Sequence, residues 1–174
     1  MKTASIMAMV IAAVTSSTAA AQQAERPAAR GAYFAGGVQA GGEFEICDED
    51  DDCSEGGYGA FGRLGYRANR VLGVEAEVGA AALGGDEAFF HAVGLGVLTL
   101  PAGPVDFRVR AGGGVFSADE ETRAGFAFGP GVGFRPDDRS AIRADILILT
   151  SDDPDADTGF DLGGFFQIGY ERRF

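Results

Sequence analysis

The 174-residue chain has no tryptophan, one lysine, one histidine and two cysteines. It also has no long apolar run: the longest candidate, Ile6 to Val14 (IMAMVIAAV), falls well short of the ~20 residues that a membrane-spanning helix needs. One histidine, His91, and few serines beyond the first segment (Ser54, Ser117, Ser140 and Ser151) leave hydrolytic catalysis without its usual nucleophile and base. Cys47 and Cys53 have no histidine or further cysteine near them in the chain, which argues against a zinc site. Basic residues are outnumbered 14 to 26 by acidic ones, for a formal net charge of −12, and nucleic acid is excluded as a partner on that ground.

Lys2, the apolar run and Ala19-Ala20-Ala21 together read as a secretory signal peptide, with a charged start, a short apolar centre and a small-residue cleavage site after Ala21. The expected organisation is therefore a signal peptide over residues 1–21, a short polar leader over 22–30 (QQAERPAAR) and one domain over 31–174.

The dominant pattern is a period of two. In Thr158 to Phe174, alternate residues back from the end are Phe174, Arg172, Tyr170, Ile168, Phe166, Gly164, Leu162 and Phe160, while the other parity holds Arg173, Glu171, Gln167, Phe165, Gly163 and Asp161. The same alternation recurs over 31–40, 58–67, 71–82, 88–100, 105–116, 124–134 and 141–150, separated by turn signals such as Ala68-Asn69-Arg70, Pro101 to Pro104 and Asp137-Asp138-Arg139. Eight such segments predict an antiparallel barrel with its apolar face outward, and a mean hydropathy of +0.04 is what alternating faces average to. Pro130 inside the sixth segment predicts a bulge or irregular point there. Gly129-Pro130-Gly131-Val132-Gly133 has glycines spaced as in a nucleotide loop but lacks the helix that should follow.

Parity assigns twelve charges to the interior: Arg63, Arg67, Arg108, Arg110, Arg143 and Arg173 against Glu75, Glu77, Asp106, Asp145, Asp161 and Glu171. An eight-stranded barrel is only wide enough to be filled by side chains, so these groups predict a plug of ion pairs, with a narrow polar channel as the alternative. His91 is expected at the interface or loop edge of the fourth strand, away from those charges.

Phe174 with Tyr170, Ile168 and Phe166 on one face resembles the C-terminal assembly signal of the OmpA-like and opacity-type superfamily of small outer-membrane barrels. Arg172 departs from it, since the family carries an apolar or aromatic side chain there. The resemblance covers the chain beyond the leader and is one of pattern. It implies an all-β, eight-stranded, up-and-down transmembrane barrel behind a cleaved signal peptide, in the outer membrane of a Gram-negative bacterium. Both termini would lie in the periplasm, and the partners would be outer-membrane lipid and the barrel-assembly machinery. The role it implies is non-enzymatic, in envelope integrity and surface interaction. A small-solute pore is the second reading; a lipid A acylase or deacylase is the third, and would need Ser and His on adjacent strands near the loops.

The expected loops hold seventeen acidic residues against Arg123 alone, a solvated, repulsive surface or one that attracts divalent cations and surface ligands. Asp153, Asp155 and Asp157 approach a calcium loop, but Thr158 stands where an EF-hand has glycine and the closing glutamate is missing. Calcium or magnesium held loosely is the expectation, with no other cofactor. Cys47 and Cys53 (CDEDDDC) are expected to form a disulfide, since exported chains meet oxidising conditions.

Overall fold

The computed structural model describes residues 30–43, 56–83, 88–118, 121–152 and 160–174. These build eight strands: β1 (Gly31–Glu43), β2 (Gly56–Arg67), β3 (Leu72–Ala82), β4 (Ala88–Ala102), β5 (Val105–Ala118), β6 (Glu121–Phe134), β7 (Ser140–Asp152) and β8 (Phe160–Arg173). Each pairs antiparallel with its sequence neighbours, and β8 pairs with β1 from Tyr33↔Arg173 to Glu43↔Gly163, which closes the barrel. Closure leaves no strand edge with unpaired backbone groups, the condition for a sheet to exist in lipid.

The strands run longer than the alternation alone predicts. β1 continues through Glu43, and the β5–β6 ladder continues through Ser117↔Thr122 to Ala118↔Glu121, leaving only 119–120 as the link. Apolar alternation stops where the apolar belt stops, whereas backbone pairing continues past it into polar sequence.

Short connections lie at the end of the barrel that carries Gly31 and Phe174, here the turn end; the opposite end is the loop end. At the turn end, Asn69 Oδ1 accepts from the backbone N–H groups of Val71 and Leu72, both at 2.8 Å, which fixes the β2–β3 turn. Gly103 takes φ +65° in the β4–β5 turn, a left-handed conformation that a residue with Cβ enters at a cost. In the β6–β7 turn the Arg139 N–H donates to Asp137 Oδ1 at 2.7 Å, and that bond holds the Asp137 carboxyl below the usual carboxylate range.

No bulge forms at Pro130. Pairing of β6 with β7 lapses at Gly129 and Pro130 and resumes at Gly131↔Asp145 in unchanged register, while toward β5 the pair Val109↔Pro130 sits in an unbroken ladder. The missing N–H therefore interrupts one ladder for two residues and inserts none.

The outer surface is apolar all round. Val38, Leu64 and Phe126 are 64%, 69% and 73% exposed, and similar side chains on every strand complete the belt. A soluble monomer rarely shows more than a few hundred Å² of contiguous apolar surface, so this wall is matched to lipid. Among the described strand residues, Arg172 is the one charged side chain on the outer face, and it sits at the turn-end rim.

Candidate functional site

The interior of the barrel divides along its axis into three zones. Midway lies a charge-balanced layer of Arg63, Arg108 and Arg110 against Glu75, Glu77 and Asp145, all buried. Arg108 reaches Asp145 Oδ1 through Nε at 2.7 Å and Glu75 Oε1 through Nη1 at 2.8 Å, and its Nη2 grips the second oxygen of Asp145. Arg63 donates to Glu77 Oε2 at 2.7 Å, Asp145 Oδ2 at 3.1 Å and Gln167 Oε1 at 2.9 Å. Arg110 donates to the same Glu77 oxygen at 2.7 Å and the same Gln167 oxygen at 3.1 Å. Neutral groups complete the layer: Tyr33 OH donates to Glu75 Oε1 at 2.5 Å, and Gln167 Nε2 donates to Glu77 Oε1 at 2.6 Å and Gln39 Oε1 at 3.1 Å. Buried charges need this degree of pairing to offset the loss of water.

At the turn end, Arg67, Arg135, Arg143 and Arg173 surround Asp106 and Glu171. Arg143 Nε donates to Glu171 Oε2 at 2.8 Å and its Nη1 holds Asp106, while Arg173 Nε donates to the other Glu171 oxygen at 2.9 Å. Arg67 stands 3.8 Å from Glu171, and Arg135 3.4 Å from Asp106.

Toward the loop end the interior is apolar. Ala81, Phe89, Val93, Leu95, Phe116, Ala127, Leu147, Leu149 and Phe165 form one buried cluster, with the Phe89 and Phe165 rings 5.2 Å apart. Among the described residues, the charged layers thus occupy only part of the lumen's length.

Two expectations need correction. His91 is not at the interface or loop edge: it is 3% exposed inside the barrel, with Nε2 3.2 Å from Glu77 Oε1 and its ring between Phe89 and Phe165. It shares the parity of Phe89 and Val93, the sequence signal that assigns it inward. The expected balance of six arginines and six acids also changes, because Arg135 joins the interior charges at Asp106. The pairing Ser151↔Asp161 puts Asp161 six residues from Gln167 along β8, roughly 20 Å at strand rise. Its side chain lies outside the described residues; the other five carboxylates meet the inward arginines in the two charged layers. Arg135, from the β6–β7 turn, adds a further arginine that no strand periodicity marks.

Phe166, Ile168, Tyr170 and Phe174 all face outward on or just beyond β8, and the Phe174 ring lies 5.8 Å from that of Phe34 on β1. Cys47, Cys53, Asp153, Asp155 and Asp157 lie outside the described residues.

A closed antiparallel barrel with a lipid-matched belt and its charges turned inward defines an integral outer-membrane protein, because closure leaves no open sheet edge and every strand alternates between lipid and lumen. The chain belongs to the family of the outer membrane protein beta-barrel domain, whose model matches residues 7–174. Outer membrane and outer-membrane lipid are thus its location and surroundings. No curated protein sequence matches the chain. Among solved structures, it is similar to Ail, the attachment invasion locus protein of Yersinia pestis, at 16% identity and TM-score 0.60, over 84% of this chain and 100% of that one. It is likewise similar to Neisserial surface protein A (14%, TM-score 0.63, 83% and 99%) and to OprG of Pseudomonas aeruginosa (11%, TM-score 0.59, 85% and 97%). At these identities the likeness speaks for the fold alone.

Proposed function

We propose that this is a closed, non-enzymatic outer-membrane barrel whose role is structural and surface-interacting, with its loop end outside the cell and both termini in the periplasm. The observation that carries the reading is the filled cross-section: an apolar cluster stacked on a balanced ionic layer, with Arg63, Glu75, Glu77, Arg108, Arg110 and Asp145 each 4% exposed or less. A solute path would have to break paired charges and displace packed aromatic rings. Catalysis has little support. His91 and Glu77 touch, but no serine or cysteine is paired with them among the described residues.

The acidic sequence of the loops, including Asp153, Asp155 and Asp157, suits loose association with divalent cations or a basic surface ligand, and a Cys47–Cys53 disulfide would confine five of those acids. Residues 1–21 serve export and are removed, and the outward row Phe166, Ile168, Tyr170 and Phe174 is the feature that the barrel-assembly machinery recognises. The closed reading is tested by solute uptake into proteoliposomes: swelling in a small sugar should match that of empty liposomes, and rapid swelling would refute it.

The assembly role gives a separate prediction. Deleting Phe174 should leave export intact and reduce the folded, heat-modifiable barrel in the outer membrane several-fold, read from unboiled and boiled gel samples. Wild-type amounts of folded barrel would remove Phe174 from that role.

A further inference from the structure

We propose that the turn-end mouth of the barrel is a binding site for a phosphate group, held by Arg67, Arg135, Arg143 and Arg173. The midway layer is balanced, with three arginines to three carboxylates, whereas the mouth sets four arginines against Asp106 and Glu171. The surplus of two positive charges is largely buried: the side chains of Arg143, Arg67 and Arg173 are 1%, 8% and 11% exposed, and Arg135 at the opening is 25% exposed. Each of the four keeps a nitrogen without a hydrogen-bond acceptor among the described residues: Nη2 of Arg67, Arg143 and Arg173, and Nε of Arg135. Asp106 Oδ2 stands 3.4 Å from Arg135 Nε without forming a hydrogen bond, so the mouth is loosely arranged and not merely over-charged.

Buried donors and buried charge are stable when satisfied, and guanidinium groups match a phosphate group in both geometry and charge. The spare Nη2 donors of Arg143 and Arg173, the loosely held Nη2 of Arg67 and Nε of Arg135, and a surplus of two charges suit a tetrahedral dianion. A cleft of about 500 Å³, lined by Asp138, Arg139, Arg172, Arg173 and Phe174, adjoins the mouth at Arg173. Its wall includes Phe174, 82% exposed, and the outward Arg172, so a phosphate group can arrive free from solution or on a lipid headgroup through the rim. The site is independent of whether the lumen conducts.

The test uses the whole chain purified in uncharged detergent. Inorganic phosphate is titrated by calorimetry at fixed ionic strength, and in parallel the protein is placed in nanodiscs of phosphatidylcholine with a small fraction of phosphatidylglycerol, whose retention is measured. Binding of about one phosphate per barrel, weakened at least tenfold in both Arg67→Gln and Arg135→Gln, is the expected result for a free anion. Retention of phosphatidylglycerol alone, lost in the same variants, assigns the site to lipid. Arg135 lies in a turn, so its variant should fold, and the gel shift on boiling verifies this for both. No saturable uptake in either arm, or uptake unchanged in both folded variants, overturns the proposal.

Discussion

Replacing Arg108 by alanine should destabilise the barrel by about 3–5 kcal/mol, the range found when one partner of a buried ion pair is removed. Arg108 supplies three donors to two carboxylates. Without it, Asp145 keeps only Arg63 Nη1 at 3.1 Å, and Glu75 keeps the Tyr33 hydroxyl and arginine nitrogens at 3.6 and 3.7 Å. Two carboxylates with side chains 0% exposed would be left short of positive charge. The urea midpoint of the refolded protein in micelles, followed by the gel shift, should fall sharply. Arg172→Ala removes an arginine from the exposed outer rim and should move the midpoint by no more than about 0.5 kcal/mol equivalent. Equal effects of the two variants would mean that the interior charges are not coupled in the way the geometry implies.

Gly112→Val should prevent accumulation of folded barrel. A Cβ at Gly112 would lie 1.9 Å from the Gly94 carbonyl oxygen and 2.9 Å from Leu95 Cα, both of them backbone atoms of β4 that cannot rotate away. Relief requires the wall to shift at its Leu95↔Gly112 pair, and overpacking of this kind costs typically 1–3 kcal/mol, more where backbone must move. Gly62 is the matched control: it faces outward and a Cβ there meets nothing within 4 Å, so Gly62→Ala should leave the yield and gel shift unchanged. Normal folding of Gly112→Val would show that the barrel wall leaves room for a side chain at this point.

Most of the fold was legible because a barrel in lipid enforces its alternation on every strand. Arg63, Glu75, Glu77, Asp106, Arg108 and Arg143 could be turned inward by counting alone, since the opposite parity held Leu, Val, Ile and Phe. β4 was hard to orient because it is nearly all apolar, with only His91 and Thr99 as polar residues on its inward face. Phe89, Val93, Leu95 and Val97 fill the lumen, while Ala92, Gly94 and Gly96 face outward together with Phe90, Leu98 and Leu100. The reason appears only in the pairing, where Val93 and Leu95 lie opposite Gly114 and Gly112 of β5 and occupy the volume those glycines leave. The apolar loop-end zone was hidden because its members are scattered over six strands, β3 to β8.

Arg135 was illegible because a turn residue has no period, and its reach to Asp106 depends on how β6 leaves the barrel. The limit of parity shows also at Asp161. Its pairing with Ser151 stands far along β8 from the charged layers, and alternation carries no information on height along the axis. Pro130 marked an irregular point in the right place, and of the two forms expected it is not a bulge, since a ladder can skip two residues without changing register.

The central claim is that the barrel is shut, and single-channel recording of the wild-type protein in a planar bilayer tests it most directly. Paired charges midway and packed Phe89, Phe116 and Phe165 above them predict a silent trace, with at most small and rare openings that become more frequent in Arg108→Ala. Large, steady current from the unmutated protein, rising in proportion to salt concentration, would contradict a closed lumen and make the protein a pore.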